Sequence, residues 1–231
     1  PYINAQEKKK FAVRTVAFYN VENLFDTIND PHKFDDDRTP EGADRWTSKV
    51  YNDHVHKIAK VISEIGSDVT KHAPDIVGLA EIENEAVVRD LINTEYLKKY
   101  NYGIVHYESP DARGVDVALI YKKSVFKPTA SFPHPLYLTK DDGKPLYTRD
   151  QLLVSGELDG EMIHFIVNHW PSRFGGEAKS RPSREKAAAL NKKIIDSLLS
   201  KDPNAKVIAM GDFNDDPINS GFKNVLKTKD K

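Results

Sequence analysis

The chain has 231 residues, of which 39% are hydrophobic and 30% charged. This is the composition of a globular protein, and the length suits one α/β domain with a substantial core. The net charge of −1 excludes a global positive field that would draw the protein to nucleic acid, so any phosphate binding must be local. The absence of cysteine excludes disulfides, thiolate catalysis and thiolate metal sites.

The ends of the sequence lead to expectations about processing and location. Residues 1–10 start without Met, and we expect them to be disordered or the remnant of an export signal, which would make the protein periplasmic or extracellular. An arbitrary chain boundary explains them equally well. Residues 11–231 are expected to form a single domain. No segment approaches the roughly 18 apolar residues of a transmembrane helix, and the sequence implies no stable protein partner.

The first half of the chain alternates between strand and helix patterns. Residues 11–18 predict a strand, and a long polar loop follows over about 20–45. Residues 76–80 form a short apolar run, typical of a strand buried on both faces, and 85–97 predict a helix. An earlier amphipathic helix is predicted because apolar residues recur at steps of four and three: Tyr51, Val55, Ile58, Ile62 and Ile65.

The second half combines hairpins with helix-linked strands. Asp159-Gly160 is a two-residue hairpin signal, and a helix is expected after Pro182, with Ala187, Leu190, Ile194 and Leu198 on one face. Mixed sheets with helices packed outside them are therefore expected. The remaining predicted elements are strands at 102–107, 115–121, 150–158 and 162–167, a buried strand at 206–210 and a short helix at 218–226.

Polar residues collect just past the ends of the apolar strands. They are Asn20, Glu81, Asn168-His169 and Asp212 to Asn214. In sheet folds of this kind, strand ends that converge on one rim are the usual location of a site. Carboxylate and amide oxygens suit Mg²⁺, which commonly takes one or two protein carboxylates and keeps several waters. The pattern favours an acidic metal site at that rim.

The segment Gly211-Asp212-Phe213-Asn214-Asp215 is the clearest of these strand exits. Asp212 and Asn214 are two residues apart and can project to the same side. An Asx turn that leads into a helix would explain the same residues. A calcium-binding loop is excluded, because Pro217 replaces the required Gly and Lys223 the required Glu.

A basic stretch follows the strand that ends at His169. It carries Arg173, Lys179, Arg181 and Arg184, which would bind phosphate locally, although an ordinary solvated loop would look the same. Phe174 and Trp170 are too few aromatics for a stacking platform of the kind that binds single-stranded nucleic acid. Asp35-Asp36-Asp37 lies in a polar loop and indicates a solvated charge run.

Four short motifs lie at the ends of predicted strands, in chain order. They are Tyr19-Asn20-Val21-Glu22-Asn23, Leu79-Ala80-Glu81, Asn168-His169-Trp170-Pro171-Ser172 and Gly211-Asp212-Phe213-Asn214. In this order they resemble the motifs of the endonuclease/exonuclease/phosphatase superfamily, and in particular its predicted secreted nucleases. This superfamily includes pancreatic deoxyribonuclease, bacterial sphingomyelinases and inositol phosphate phosphatases. The resemblance spans about residues 11–222 and implies an α/β fold, a four-layer sandwich of two mixed β-sheets flanked by helices.

The resemblance also implies roles for individual residues. Glu81 would bind Mg²⁺ or Mn²⁺, with Asn20 and Glu22 as further candidate ligands and Ca²⁺ as an alternative ion. Asp212 would orient or deprotonate the attacking water, while Asn214 and His169 would contact the scissile phosphate. The candidate phosphate-binding residues are Arg149, Asn168, Ser172, Arg173 and Arg184.

One departure from the superfamily pattern bears on activity. The final Asp-His motif of the superfamily is absent from this sequence, and we expect the 231 residues to be part of a longer protein. The leading hypothesis is a metal-dependent phosphodiesterase, a nuclease acting on DNA or RNA through an activated water. A sphingomyelinase-like or inositol-phosphate phosphoesterase and a catalytically dead phosphate-binding module are the alternatives.

Overall fold

A computed structural model describes residues 12–229 of the chain. The expectations for residues 1–10, and the start of the first predicted strand at Phe11, lie outside this range. Within it, no helix is long and apolar enough to cross a membrane. The strands form two four-stranded mixed sheets and one small hairpin.

The first sheet has the strand order β1-β2-β4-β3. β1 and β2 run parallel, and β4 is antiparallel to both β2 and β3. The carboxyl ends of β1, β2 and β3 therefore lie at one edge, together with the start of β4. The bounds are β1 Val16–Leu24, β2 Ile76–Ile82, β3 Tyr102–His106 and β4 Asp116–Lys122.

The second sheet has the order β10-β9-β8-β5. β9 and β10 are parallel, whereas β8 pairs antiparallel with β9 and β5. The predicted hairpin at Asp159-Gly160 is confirmed, since Leu158 of β8 pairs with Glu161 of β9. The bounds are β5 Phe126–His134, β8 Gln151–Leu158, β9 Glu161–His169 and β10 Lys206–Asp212, and a separate hairpin joins β6 Leu138–Thr139 to β7 Pro145–Leu146.

The helices cover the outer faces of the two sheets. α1 and α3 pack on the first sheet in one apolar core, and Ile194 of α4 packs against Leu153 and Ile166 of the second sheet. The helices are α1 Ser48–Glu64, α2 Ser67–Thr70, α3 Glu85–Ile92 and α4 Glu177–Lys201, with short 3-10 helices at Asp36–Arg38 and Lys98–Tyr100 and a π-helix at Gly221–Leu226.

The two sheets face each other across a shared core. Leu119 of the first sheet belongs to the same buried cluster as Phe165 and Val154 of the second. With the helices outside, this arrangement confirms the predicted four-layer α/β sandwich of two mixed sheets.

Several predicted boundaries were wrong for identifiable reasons. β1 continues through Asn20 to Leu24, so the polar loop starts later than expected. β5 was missed because it contains Pro128 and Pro133, which disfavour a strand except at a sheet edge, where β5 lies. α3 ends at Ile92, and α4 begins at Glu177 and includes Pro182.

Two predictions about burial also need correction. β10 was expected to be buried, but it is the edge strand of the second sheet among residues 12–229, and Ile208 is exposed. Asp35 was expected to be solvated, but it is buried, and its Oδ2 accepts a hydrogen bond from the Asp30 amide. An edge position and a long-range loop contact are both invisible in a short sequence window.

Candidate active site

Strands β1 and β2 bring Asn20 and Glu81 to the rim of the first sheet. Asn20 is paired with Ala80, and the register of both strands is irregular just beyond this point. Glu81 sits in that irregularity with a φ of 63°, and Glu22 and Asn23 also have positive φ. Non-glycine residues in this conformation store backbone strain, and such residues cluster at functional sites.

Strands β9 and β10 bring His169 and Asp212 to the facing rim, where the two residues are direct neighbours in the parallel register. The close approach of the strands explains Gly211, because a Cβ at this position would lie 2.3 Å from the carbonyl oxygen of Asn168. Asp212 Oδ1 accepts a hydrogen bond of 3.0 Å from the amide of Asn214, whose φ is 48°. The segment is therefore an Asx turn as well as a rim segment.

A hydrogen bond joins the two sheets at this rim. Asn20 Nδ2 donates to Asp212 Oδ2 over 3.1 Å, and Asn20 Oδ1 accepts from the amide of Glu22. Asn214 Nδ2 donates to the carbonyl of Trp170 over 3.0 Å. Both oxygens of the Asp212 carboxylate are thus held in a defined direction, with residues from both sheets as partners.

His169 is almost fully buried between these groups. Its Nε2 lies 3.5 Å from Glu81 Oε1, while its Nδ1 is buried without a hydrogen-bond partner among residues 12–229. Burial, assisted by the positive charges of Arg149 and Arg113, lowers the pKa of His169 to about 2. The imidazole is therefore neutral in the protein without ligands.

Two arginines place positive charge beside the histidine. Arg149 precedes β8 and is buried; it donates to Asp111 Oδ2 and to the carbonyl of Trp170, each over 3.0 Å. Burial lowers the pKa of Arg149. The Nε of Arg149 has no partner in the described part of the chain. Arg113 is half exposed, and its Nε lies 3.8 Å from Asp111.

These side chains line one cavity of about 420 Å³, which we call the rim cavity. It combines two carboxylates, two guanidinium groups, one imidazole and one amide with a hydroxyl and an aromatic ring. Its lining residues are Glu81, Arg113, Arg149, His169, Ser172, Phe174, Asp212 and Asn214. Six of the eight are residues that the sequence placed in the site; Phe174 was set aside as a stacking residue, and Arg113 was missed.

Asn20 and Glu22 do not line the rim cavity. Asn20 contacts it indirectly, through Asp212. Glu22 is exposed, and the structure brings only its backbone amide to Asn20. The expectation that Glu22 binds metal stays a prediction without structural support.

Asn168 is not positioned to bind phosphate. Its side chain is fully buried, and Nδ2 donates to the carbonyls of Ile166 and Met210. Its Oδ1 accepts from Trp170 Nε1 and from Asn191 Nδ2. Because adjacent residues of a strand point to opposite faces, His169 faces the rim cavity while Asn168 joins β9, β10 and α4.

The prediction for Arg184 was also wrong. Its side chain is fully buried and pairs with Asp215 Oδ1 at 2.8 Å and with Glu177. Arg173 is more exposed, but its guanidinium is bound to Asp216 and to the carbonyl of Asn214. It lies in a neighbouring cavity of about 470 Å³ formed with residues 211–216. Its predicted role in phosphate binding is untested.

The donors at the rim fit a hard divalent cation. Glu81 and Asp212 supply carboxylate oxygens and Asn214 an amide oxygen, which are the ligand types that Mg²⁺ and Mn²⁺ prefer. A second group with metal-binding capacity lies at the same edge of the first sheet. The ligand atoms of His106, Glu108 and Asp116 are within 4.8 Å of one another, although Asp116 already accepts hydrogen bonds from Ser109.

Two facing mixed sheets with a carboxylate-lined cavity at their common rim define a class of sandwich proteins that includes hydrolases of phosphate esters. The model of the Endonuclease/Exonuclease/phosphatase family matches residues 15–231, and the chain belongs to this family. No curated protein sequence matches the chain.

Solved structures with the same fold include a phosphatase, a bacterial toxin and TDP2. A mannosyl-6-phosphatase from Bacteroides thetaiotaomicron has 18% identity, covers 93% of this chain and 70% of its own, and gives a TM-score of 0.59. A β-hairpin deletion mutant of beta toxin from Staphylococcus aureus has 16% identity, 92% and 71% coverage, and a TM-score of 0.58. TDP2 from C. elegans has 18% identity, 74% and 45% coverage, and a TM-score of 0.52.

The structural similarity shows the shared fold, and the low sequence identities leave the substrate open. The chain spans less than half the length of the TDP2 chain.

Proposed function

We propose that the protein is a metal-dependent phosphodiesterase that hydrolyses nucleic acid. The observation that carries this proposal is the rim cavity, where Glu81 and Asp212 face the same space as Arg113 and Arg149. Carboxylates suit a divalent cation, and arginines suit the oxygens of a phosphate. A bound divalent cation would neutralise phosphate charge and polarise the phosphorus centre for attack.

Side chains of the rim would activate the attacking water and bind the phosphate. Asp212 is held by Asn20 and by the amide of Asn214, so its carboxylate can orient a water and accept its proton. The water oxygen would form a bond to phosphorus while the bond to the leaving oxygen breaks. Arg149, already buried and oriented by Asp111, would bind a non-bridging oxygen without further ordering.

His169 would enter as a neutral hydrogen-bond donor. Burial and two nearby arginines keep its pKa well below the ordinary value, so the imidazole is neutral before substrate binds, and its single N–H can donate a hydrogen bond to the phosphate. An arriving phosphate would favour the protonated form, because an opposite charge raises the pKa of an imidazole. The ring could then stabilise negative charge on the leaving oxygen.

A diester is favoured over a monoester by the surroundings of the rim cavity. A second cavity of about 550 Å³ shares Arg149, Ser172 and Phe174 with it. A substrate that continues past the phosphate would fill both cavities, whereas a small phosphomonoester would fill only one.

The test uses the full chain with Mg²⁺, Mn²⁺, Ca²⁺ or EDTA, and offers DNA, RNA, sphingomyelin vesicles, inositol phosphates and a sugar phosphate. We expect cleavage of nucleic acid that EDTA abolishes. No metal-dependent turnover of any phosphoester would refute the proposal, and preferred turnover of a lipid or sugar phosphate would reassign the substrate.

Calorimetric titration with Mn²⁺ tests the cation site independently of activity. Glu81→Gln should weaken Mn²⁺ binding about tenfold or more, because it removes a charged ligand. Glu108→Gln is the matched control, since Glu108 belongs to the other cluster at the same edge. If Glu108→Gln alone weakens binding, the cation belongs to that cluster.

A further inference from the structure

The 550 Å³ cavity beside the rim cavity, which we call the side groove, has features that the proposed reaction does not use. Arg149, Ser172 and Phe174 line both cavities, so the two are continuous. One wall is the β6–β7 hairpin and another is the N-terminal part of α4, with Lys140 on the hairpin and Lys179 on the helix. A volume of this size is typical of small-molecule sites.

Phe174 is presented to this groove by an ordered turn. The amide of Gly176 donates to the carbonyl of Arg173 over 2.9 Å, and Gly175 has a φ of 79°, which favours glycine at this turn position. Arg173 is anchored by Asp216 and by the carbonyl of Asn214. The Phe174 side chain nevertheless remains 92% exposed.

Tyr147 adds a second aromatic ring. It lies two residues before Arg149, lines the side groove and is 60% exposed. Single exposed apolar residues need no explanation, but two aromatic rings on one groove that is continuous with a site indicate a ligand surface. The sequence pattern concealed this pair because Tyr147 and Phe174 are far apart along the chain.

The charges around the groove favour an anionic ligand that continues beyond the rim cavity. Lys179 lies 3.7 Å from Asp141 of the hairpin, and both side chains are largely exposed. An exposed ion pair of this kind contributes little to stability, so a phosphate could take the place of Asp141 at small cost. Lys140 lies on the same side of the groove as Asp141.

We infer that the side groove binds the nucleoside attached to the scissile phosphate, with its base against Phe174 and Tyr147 and the following phosphate near Lys140 and Lys179. This inference rests on the proposed function and narrows its substrate to nucleotides. Base stacking tolerates every base, so the groove would select nucleic acid without selecting a sequence.

The decisive experiment compares a dinucleotide containing one phosphodiester with two counterparts in which either nucleoside is replaced by an abasic tetrahydrofuran. The intact dinucleotide should have the higher kcat/KM. Phe174→Ala and Tyr147→Ala should each lower kcat/KM for the intact dinucleotide about fivefold or more, mainly through KM, because stacking on an aromatic ring is lost. The loss should be several times smaller for one abasic counterpart, which identifies the nucleoside bound in the groove.

Conservative and control variants complete the test. Phe174→Tyr and Tyr147→Phe should keep the preference for the intact dinucleotide. Tyr137→Ala should change nothing, since Tyr137 is 84% exposed but is not among the residues that line the side groove. An undiminished preference in both alanine variants, or an equal loss on all three substrates, would overturn the inference.

Binding to the unreacted protein separates this inference from the proposed function. Thymidine 5′-monophosphate should bind more tightly than deoxyribose 5-phosphate, and Phe174→Ala combined with Tyr147→Ala should remove the difference. If this holds while no phosphoester is hydrolysed, the proposed function fails and the groove assignment stands. If diesters are hydrolysed but the two ligands bind equally, the groove assignment fails alone. If Phe174→Ala and Tyr147→Ala lowered the turnover of sphingomyelin vesicles alone, the groove assignment would also be overturned.

Discussion

Arg149 and Arg184 are both buried arginines near the rim, and the sequence predicted phosphate binding for both. Arg184 has two carboxylate partners, Asp215 and Glu177, and donates further to Ser180 and to a backbone carbonyl. Arg149 has one carboxylate partner, Asp111, and one carbonyl partner. Its Nε has no partner within residues 12–229, and its side chain lines the rim cavity.

The difference teaches that the partners of a buried arginine indicate its role better than its position in the sequence. A guanidinium whose three nitrogens are all hydrogen-bonded and whose charge is compensated by two carboxylates is part of the structure. A guanidinium with donor capacity left, at the wall of a cavity, can accept a ligand. Burial alone does not separate the two cases, since both side chains are less than 10% exposed.

The largest expected effect tests the same contrast on two aspartates of one segment. Asp212→Asn should lower kcat about 10³-fold, because it removes the group proposed to accept a proton, while the melting temperature changes little. Asp215→Asn, three residues later, removes a partner of Arg184 and should lower stability while folded molecules keep their kcat. Steady-state kinetics and thermal unfolding of both variants check this. Equal losses of kcat in the two variants would show that catalysis depends on Asp215 as much as on Asp212.

The second effect concerns Arg184 itself. Arg184→Met leaves Asp215 and Glu177 without their shared cation, and Asp215 is almost fully buried. We expect the free energy of unfolding in urea to fall by about 3 kcal/mol. Arg149→Met should cost less stability, because Arg113 remains near Asp111, but should raise KM for a diester about tenfold. A larger loss of stability in Arg149→Met than in Arg184→Met would contradict the contrast between the two arginines.

The smallest effect follows from the buried neutral His169. Its folded pKa is lowered to about 2, below the value of about 6.5 expected in the unfolded chain. Between these values the unfolded chain binds a proton that the folded protein does not, so stability falls as the pH decreases below 6.5, by up to about 1.4 kcal/mol per pH unit. His169→Gln lacks this contribution.

Urea unfolding of the wild type and of His169→Gln from pH 7 to pH 4.5 measures this difference. The stability of the wild type relative to the variant should decrease steadily as the pH falls. Parallel profiles would mean that folding leaves the pKa of His169 unchanged, and would remove the lowered pKa from the proposed mechanism.

Local rules predicted the mixed sheets with helices outside them and the polar strand exits of the rim, and the resemblance of the motifs to a known family implied the four-layer arrangement. Alternating residues place Asp212 and Asn214 on one side of the chain, and strand exits meet at one edge of a sheet. The alternative interpretation of that segment as an Asx turn is also correct, since the Asn214 amide binds Asp212 Oδ1. The turn and the rim position coexist, and the sequence had presented them as rivals.

The errors concern residues whose environment is made by distant segments. Asn168 and His169 are neighbours in one motif and point to opposite faces of β9, and the packing of α4 and β10 makes the face of Asn168 the structural one. Arg184 is paired with Asp215, 31 residues away. Arg113 precedes β4 in a loop that shows no recognisable sequence motif. It lines the rim cavity because β4 is paired with β2, the strand that carries Glu81.

The hydrogen bond between Asn20 and Asp212 joins residues that are 192 positions apart in the sequence. Contacts of such long range form late in folding, because the entropy of closing the loop must be overcome before they stabilise anything. Each half of the rim also depends on a parallel strand pair, β1 with β2 and β9 with β10. The return of activity during refolding would therefore report the docking of the two sheets, later than any signal from their separate secondary structure.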